Sequence, residues 1–367
     1  MKDIMLTAVA VMLAAGAAQA GGVERSSQSV GILFEQGRYA EISAGGVAPD
    51  VSGTGLDSMT TGIAGTGDVT PGFGAAGLGY KQPLGDRVDL AIILDEPIGA
   101  KSHYPDDSTY LLRGVTGQIT SAAVTTLLRY KMANNFSVYG GLRAVRTSGR
   151  TEVPLAGYTM KTSTETDYGY VLGGAWEKPE IGARIALTYN SKITHQFDAT
   201  ERFGAATISD GFSMTVPESV NLEFQTGLSP RTLLLGSVRW VHWTQFEIAP
   251  PAYAAAINPL TSQPFGPLVS YASNTTTLNL GLGRKFNDVW SGAVMLGYEK
   301  TSGDLVPDLG PTDGFKSIAL AASYQASETI RISGGVTYVD IGDAKALAGR
   351  FSGNSAWAAG LRIGVTF

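Results

Sequence analysis

The sequence contains no cysteine and only three histidines, His103, His195 and His242. The absence of cysteine excludes a disulfide scaffold and a thiolate metal site. Beyond the N-terminus, no stretch approaches the roughly 18 unbroken apolar residues that a membrane-spanning helix requires. A net charge of −5 offers no general basic surface for a nucleic acid, so no nucleic-acid partner is expected. No metal and no cofactor are predicted.

Motifs for catalysis and for an energised cycle are also missing. The sequence has no G-x-S-x-G nucleophile elbow, and nothing fixes a serine beside any of the three histidines. No nucleotide-binding loop is present either. An enzyme is therefore not expected, although an outer-membrane enzyme or an adhesin remains an alternative class.

The first twenty residues have the features of an export signal. Lys2 is followed by a short apolar run over residues 6–15, and Ala18, Gln19 and Ala20 form an A-x-A cleavage site. The apolar run is too short to span a bilayer as a helix. Residues 1–20 are therefore predicted to be a signal peptide that is cleaved near Ala20, and the mature chain is expected beyond the inner membrane.

Strict alternation of apolar and small or polar residues is the main positive signal, and the last fourteen residues show it most clearly. Successive side chains of a strand point to opposite faces. One face of this segment carries Trp357, Ala359, Leu361, Ile363, Val365 and Phe367, and the other carries Ala356, Ala358, Gly360, Arg362, Gly364 and Thr366. The same pattern returns along the chain, which is typical of a membrane β-barrel with a mean hydropathy near zero.

Fourteen strands are predicted, an even number as expected for a single-chain bacterial barrel. Their ranges are about 38–48, 72–83, 87–97, 115–131, 136–149, 166–177, 182–196, 212–227, 231–248, 273–286, 289–302, 315–326, 330–341 and 354–367. Short connections alternate with long ones, as periplasmic turns alternate with outer loops. The predicted fold is an all-β, antiparallel transmembrane barrel over residues 38–367.

Aromatic residues mark two levels on the predicted lipid face. Trp357 and Phe367 are ten residues apart, roughly 33 Å of strand, which a tilt of about 40° reduces to about 25 Å, the height of an apolar band. The chain is therefore placed in the bacterial outer membrane.

Fourteen strands enclose more space than their own side chains fill, so the lumen is expected to conduct or to be plugged. Residues 21–37 precede the first strand and contain the apolar cluster Ile32, Leu33 and Phe34. We predict that this segment is a short hatch in the lumen; the alternative is an ordinary disordered terminus.

Inward positions carry charges of both signs, among them Arg129, Arg143 and Arg239. These arginines are candidate contacts for a substrate carboxylate, which a guanidinium binds through two parallel hydrogen bonds. The alternative is that they pair across the lumen and hold the wall.

The predicted outer loop over residues 249–272 contains no charged residue. An apolar loop that faces water usually marks an interaction surface. Together with Phe246, its Tyr253, Ile257, Leu260 and Phe265 are candidate contacts for a lipid-like ligand. Packing against neighbouring loops or against lipopolysaccharide is the alternative.

Three further segments carry recognisable motifs: GVERSSQSVGILFEQGR at 22–38, DEPIG at 95–99 followed by Tyr104 and Pro105, and the aromatic set Trp240, Trp243, Thr244 and Phe246. All three resemble segments of the outer-membrane long-chain fatty acid and hydrocarbon transporters of the FadL type. The resemblance implies a hatch-closed barrel, capture of substrate among the outer loops, and sideways exit where the third strand is irregular. Pro97 is assigned to that irregularity, since proline donates no ladder hydrogen bond; simply ending the strand is the alternative. The asparagine-proline-alanine motif of the family hatch is missing.

The predicted function is passive uptake of long-chain fatty acids or related hydrophobic compounds. A general diffusion porin for small polar solutes is the alternative. The expected partners are hydrophobic small molecules, outer-membrane lipid and lipopolysaccharide, and a monomer is expected.

Overall fold

The computed structural model describes residues 22–258 and 261–367, so the predicted signal peptide lies outside the described residues. Strands are numbered in chain order. The wall consists of β1 (Tyr39–Asp50), β4 (Phe73–Pro83), β5 (Val88–Asp95) with β6 (Ala100–His103), β7 (Thr116–Lys131), β8 (Phe136–Val153), β10 (Glu165–Lys178), β11 (Ala183–Asn190) with β12 (Ile193–Phe203), β13 (Ala206–Val216) with β14 (Ser219–Ser229), β15 (Thr232–Val241), β18 (Thr275–Lys285), β19 (Trp290–Glu299), β21 (Phe315–Gln325), β22 (Ile330–Ile341) and β25 (Asn354–Thr366).

Shorter elements cover the end of the barrel that carries the long loops. They are β2 (Gly53–Leu56), β3 (Ile63–Gly65), β9 (Tyr158–Thr162), β16 (Glu247–Ile248), β17 (Val269–Ser270), β20 (Leu305–Val306), β23 (Ala344–Ala346), β24 (Gly349–Phe351) and helix α1 (Pro251–Ala255). Short 3-10 helices lie at Gly31–Phe34, Pro154–Ala156, Pro179–Ile181 and Trp243–Gln245. Across the described parts of the chain, no helix is long and apolar enough to cross a membrane.

The wall closes between its first and last strands. β1 pairs antiparallel with β25 from Tyr39 opposite Thr366 to Asp50 opposite Ser355, and β1 also pairs with β4. Closure pairs the backbone of both terminal strands and so removes the exposed sheet edge that lipid does not tolerate. The predicted all-β, fourteen-strand antiparallel barrel is confirmed.

Side chains alternate between the two faces of the wall as the pattern predicts. Leu142 is 68% exposed and Tyr168 is 73% exposed on the outside, whereas Arg143 is 6% exposed on the inside. Large exposed apolar side chains recur on most wall strands, far beyond the scattered few of a water-soluble surface. Lipid contact accounts for this face.

The predicted strand bounds differ most at the outer end. Residues 197–211, predicted to be a loop, belong to the long hairpin β12–β13. Strand β9 lies within residues 150–165, which were also predicted to be a loop. Alternation continues through these residues, but their outward positions are polar because they extend beyond the membrane. The apolar alternation of lipid-facing strands therefore does not predict these outer strand ends. The predicted strand 231–248 ends at Val241, and the predicted strand 87–97 is interrupted after Asp95.

Candidate functional site

The N-terminal segment (residues 22–37) contacts the wall from the inside. Ile32 and Leu33, in the 3-10 helix Gly31–Phe34, are 5% and 0% exposed. They belong to one buried apolar cluster with Leu127 and Tyr139, inward residues of β7 and β8. Phe34 meets the ring of Tyr139 edge-on at 6.3 Å. The apolar cluster predicted for the hatch therefore lies against the lumen side of the wall.

Arg239 of β15 holds the start of the N-terminal segment. Its Nε donates to both carboxylate oxygens of Glu24 at 3.0 Å, and Nη2 also contacts that carboxylate. Nη1 donates to Ser219 Oγ at 3.1 Å and to the Asn221 side chain. Arg239 and Glu24 are only 4% and 6% exposed. The guanidinium fork is thus filled by a carboxylate of the same chain.

The other two candidate arginines also bind the N-terminal segment. Arg143 donates to the Gln28 side chain and, through Nε, to Thr125 at 2.8 Å. Arg129 Nη1 donates to the carbonyl of Leu33 at 3.0 Å, and its Nη2 pairs with Glu177. All three candidate carboxylate contacts therefore take part in attaching one segment.

Two inward carboxylates receive hydroxyl groups from the same segment. Ser26 donates to Asp95 at 2.6 Å, and Ser29 donates to Glu223 at 2.6 Å. Asn221 donates to the carbonyl of Ser27 at 2.9 Å. The N-terminal segment therefore fits the polar lumen with complementary donors and acceptors.

The third wall strand is interrupted over residues 96–99, where Pro97 lies. Here the backbone bonds to the N-terminal segment: Arg25 N–H donates to the Pro97 carbonyl at 3.1 Å, and Gly99 N–H donates to the Val23 carbonyl at 2.8 Å. A side chain on Gly99 would meet Arg25, since an added Cβ would lie 2.9 Å from Arg25 Nε. At the break, backbone groups that lack a strand partner are therefore paired with the N-terminal segment.

A gap in strand pairing follows from this break. β4 pairs with β5 only from Leu78 to Pro83, and β6 pairs with β7 alone. Within the described residues, the part of β4 from Phe73 to Gly77 has no strand partner on that side. The guanidinium of Arg25 lies over the Phe73 ring, 3.1 Å from its centroid. The Arg25 side chain therefore lies at the opening in the wall between β4 and the break in the third strand.

An apolar cavity of about 50 Å³ lies between the N-terminal segment and the outer loops. Its lining includes Val23, Phe197, Phe212, Met214, Ile248 and Leu268. An apolar cavity of about 150 Å³ is known to hold benzene, so this one is closed to substrates of that size until a neighbour moves. Sequence reasoning missed this set because its members come from the predicted hatch, two predicted strands and two predicted loops, and strand alternation does not show which of them meet.

His195 is completely buried beside the cavity. Its Nδ1 lies 2.8 Å from Asp167 Oδ2, and its Nε2 lies 3.1 Å from Thr147 Oγ1, a hydroxyl on the cavity wall. The carboxylate orients the imidazole. Thr147 thus connects the buried imidazole to the cavity lining.

The uncharged outer loop folds over the barrel mouth. Tyr253 stacks on Phe265 with ring centroids 4.7 Å apart and contacts Tyr158 at 4.8 Å. Glu201 accepts hydrogen bonds from the N–H groups of residues 252 and 253 at 3.0 and 2.8 Å, which fixes the start of α1. Two rings of the predicted ligand set therefore hold the loop in place.

The remaining members of that set differ in exposure. Phe246 is fully buried between Trp243 and Tyr271, whereas Ile257 is 60% exposed. Leu260 lies outside the described residues. Ile257 is therefore the most exposed of the four described members of the set.

No group of three or more His, Asp or Glu side chains is arranged for a metal ion in the part of the chain that the structure describes.

Solved structures share this architecture. A Pseudomonas aeruginosa FadL homologue superposes with a TM-score of 0.73 at 16% identity, covering 97% of this chain and 98% of the other. The P. putida toluene transporter TodX gives a TM-score of 0.63 at 14% identity, covering 91% of both chains. The Ralstonia pickettii toluene transporter TbuX gives 0.61 at 13% identity, covering 91% and 90%. At these identities the likeness establishes the fold.

No protein with a curated description matches the sequence. The family is established by the sequence itself, because a profile described as "Outer membrane protein transport protein (OMPP1/FadL/TodX)" matches residues 36–303, well over half of the chain. The chain belongs to this family of bacterial outer-membrane transport proteins.

Proposed function

We propose that the barrel carries hydrophobic molecules, such as fatty acids or related hydrocarbons, across the outer membrane without an energy source. The observation that carries this proposal is the combination of an apolar cavity under an uncharged outer loop with a filled polar lumen beneath it. This combination favours an apolar cargo over a hydrated one. The family and the solved relatives give no support to the alternative of a general porin.

Capture begins at the uncharged loop. Ile257 gives the first apolar contact, and the stacked rings of Tyr253 and Phe265 belong to the same loop. Phe246 and Leu260 are the remaining proposed contacts. Each methylene that leaves water gains about 0.8 kcal/mol, so a sixteen-carbon chain gains on the order of 10 kcal/mol. That gain suffices for capture without a pump.

A substrate carboxylate would have to compete for an arginine that is already occupied. Of Arg129, Arg143 and Arg239, Arg239 is bound to a carboxylate that belongs to the N-terminal segment, Glu24. If the substrate carboxylate replaces the Glu24 carboxylate, the buried guanidinium of Arg239 stays paired with an anion. The same replacement releases the N-terminal segment. Arg239 is therefore the proposed carboxylate contact.

The proposed exit is sideways, through the opening between β4 and the break at Pro97. Arg25 occupies this opening, so release of the N-terminal segment also withdraws Arg25 from it. The bilayer outside is as apolar as the cavity, which offsets the cost of leaving it.

The proposal includes the processing, the hatch and the surroundings of the mature protein. Residues 1–20 are removed on export near Ala20, and residues 21–37 act as the hatch. The mature barrel works as a monomer surrounded by outer-membrane lipid and lipopolysaccharide.

The test is uptake by vesicles that contain or lack the full-length mature protein. Labelled fatty acid and labelled toluene are compared with a sugar of similar mass. We expect faster uptake of at least one hydrophobic compound and no change for the sugar. Equal rates with and without the protein for every hydrophobic compound would contradict the proposal, and sugar uptake would favour a porin.

A further inference from the structure

Four cations line one cleft on the outside of the barrel, beyond the membrane. Strand pairing places Arg150 of β8 opposite Lys161 of β9. Arg202 lies on β12, which pairs with β9, and Lys101 lies on β6, which is separated from β8 by β7. All four side chains are exposed, and each has at least one buried neighbour along its own strand. Since successive side chains alternate, the four point away from the lumen. We call this group the basic cleft.

The basic cleft is concave, with a cavity of about 660 Å³. Its lining contains one carboxylate, Glu152, against the four cations. Among the ion pairs of residues 22–258 and 261–367, none involves any of the four cations. This local excess of positive charge occurs in a chain whose net charge is −5.

Other charged groups lie close to the rim of the cleft. Asp198 is exposed on the same face of β12, and His103 lies 3.8 Å from Asp106 at the β6 side. Arg146, also exposed and outward on β8, adds a cation nearer the membrane. The face as a whole therefore stays positive.

The height of the cleft matches a lipid headgroup. Tyr168, paired with Ala144 of β8, belongs to the outer aromatic level of the lipid face. Arg150 lies six residues beyond Ala144, which is about 20 Å of strand and about 15 Å of height at a tilt of about 40°. Arg146 lies about 5 Å above the same level by the same reasoning. The cations thus span the layer of sugars and phosphates that covers the outer leaflet.

We propose that the basic cleft binds the phosphorylated headgroup of lipopolysaccharide. An arginine fork binds two phosphate oxygens at once, and lysine adds a mobile point charge. Each basic residue near an anionic lipid surface strengthens attachment about fivefold. Arg150 also borders the apolar cavity, but the four charged side chains point away from the lumen, so the proposal does not depend on the proposed transport.

The test measures the affinity of the full-length protein in detergent for bisphosphorylated lipid A and for the same lipid after enzymatic removal of its phosphates. We expect the native protein to bind the phosphorylated lipid at least tenfold more tightly. The variant Arg150→Gln/Lys161→Gln should lose about 25-fold in affinity for the phosphorylated lipid and nothing for the other. Heat-modifiable migration on gels confirms that each variant is folded.

The matched control is Lys345→Gln/Arg350→Gln. These two residues are also an exposed lysine and an exposed arginine that face each other across a pair of outer strands. Their variant should bind lipid A as the native protein does. Equal binding of the two lipids by the native protein, or an equal loss in the control, overturns the proposal. Complete displacement of lipid A by millimolar inorganic phosphate also overturns it, since the site would then take a small anion.

Discussion

Arg239, Arg143 and Arg129 direct their guanidinium groups into the lumen, where a lone charge is costly. Each has at least one partner in the N-terminal segment, which is the carboxylate of Glu24, the amide of Gln28 or a backbone carbonyl. The alternation of the wall strands predicts that these arginines point inward. It does not predict their partners, because the N-terminal segment has an irregular backbone without the alternating side-chain pattern of a strand.

Replacing Glu24 by Gln tests this attachment. Arg239 would keep its bonds to Ser219 and Asn221 but lose its charged partner, and breaking one side of a buried ion pair costs about 3–5 kcal/mol. We expect faster hydrogen exchange of the backbone amides at residues 22–30, measured by mass spectrometry in detergent. Glu35→Gln is the control, because its carboxylate lies 3.7 Å from Arg331, at the outer limit of an ion pair. Unchanged exchange in Glu24→Gln would contradict the assigned role.

Among the elements, the wall strands are the part that the sequence predicts well. A strand in lipid needs apolar side chains at alternate positions, so the pattern itself reports the strand, as in β25. The hairpin β12–β13 and the strand β9 were missed because their outward faces meet water. The break over residues 96–99 is visible only through Pro97, and Arg25, which fills it, comes from a distant part of the chain.

The uncharged loop offers one residue that can be changed without disturbing its fold. Tyr253 and Phe265 support each other, whereas Ile257 is 60% exposed. Full burial of such a side chain is worth about 1.5–3 kcal/mol. Ile257→Ser should therefore weaken binding of a labelled fatty acid about tenfold and leave heat-modifiable folding intact.

The control for this loop is Leu228→Ser, which changes a side chain of similar exposure, 59%, at the short-turn end of the barrel. Its binding should equal that of the native protein. If Ile257→Ser binds as tightly as the native protein does, capture takes place elsewhere on the outer surface.

At the scale of the whole molecule, the wall is closed by β1 and β25, its outside is apolar, and its lumen is filled by the N-terminal segment. We therefore expect that a hydrated ion finds no continuous aqueous path, whereas an apolar molecule has contacts at the mouth and in the cavity. The proposed route through the wall depends on this closure, since an open lumen would let polar solutes pass.

Planar-bilayer conductance tests this closure most directly, with the native protein compared with a variant that lacks residues 22–34. We expect no steady ion current through the native protein and a large steady current through the variant, provided that both migrate as folded barrels. A large steady current through the native protein would contradict it.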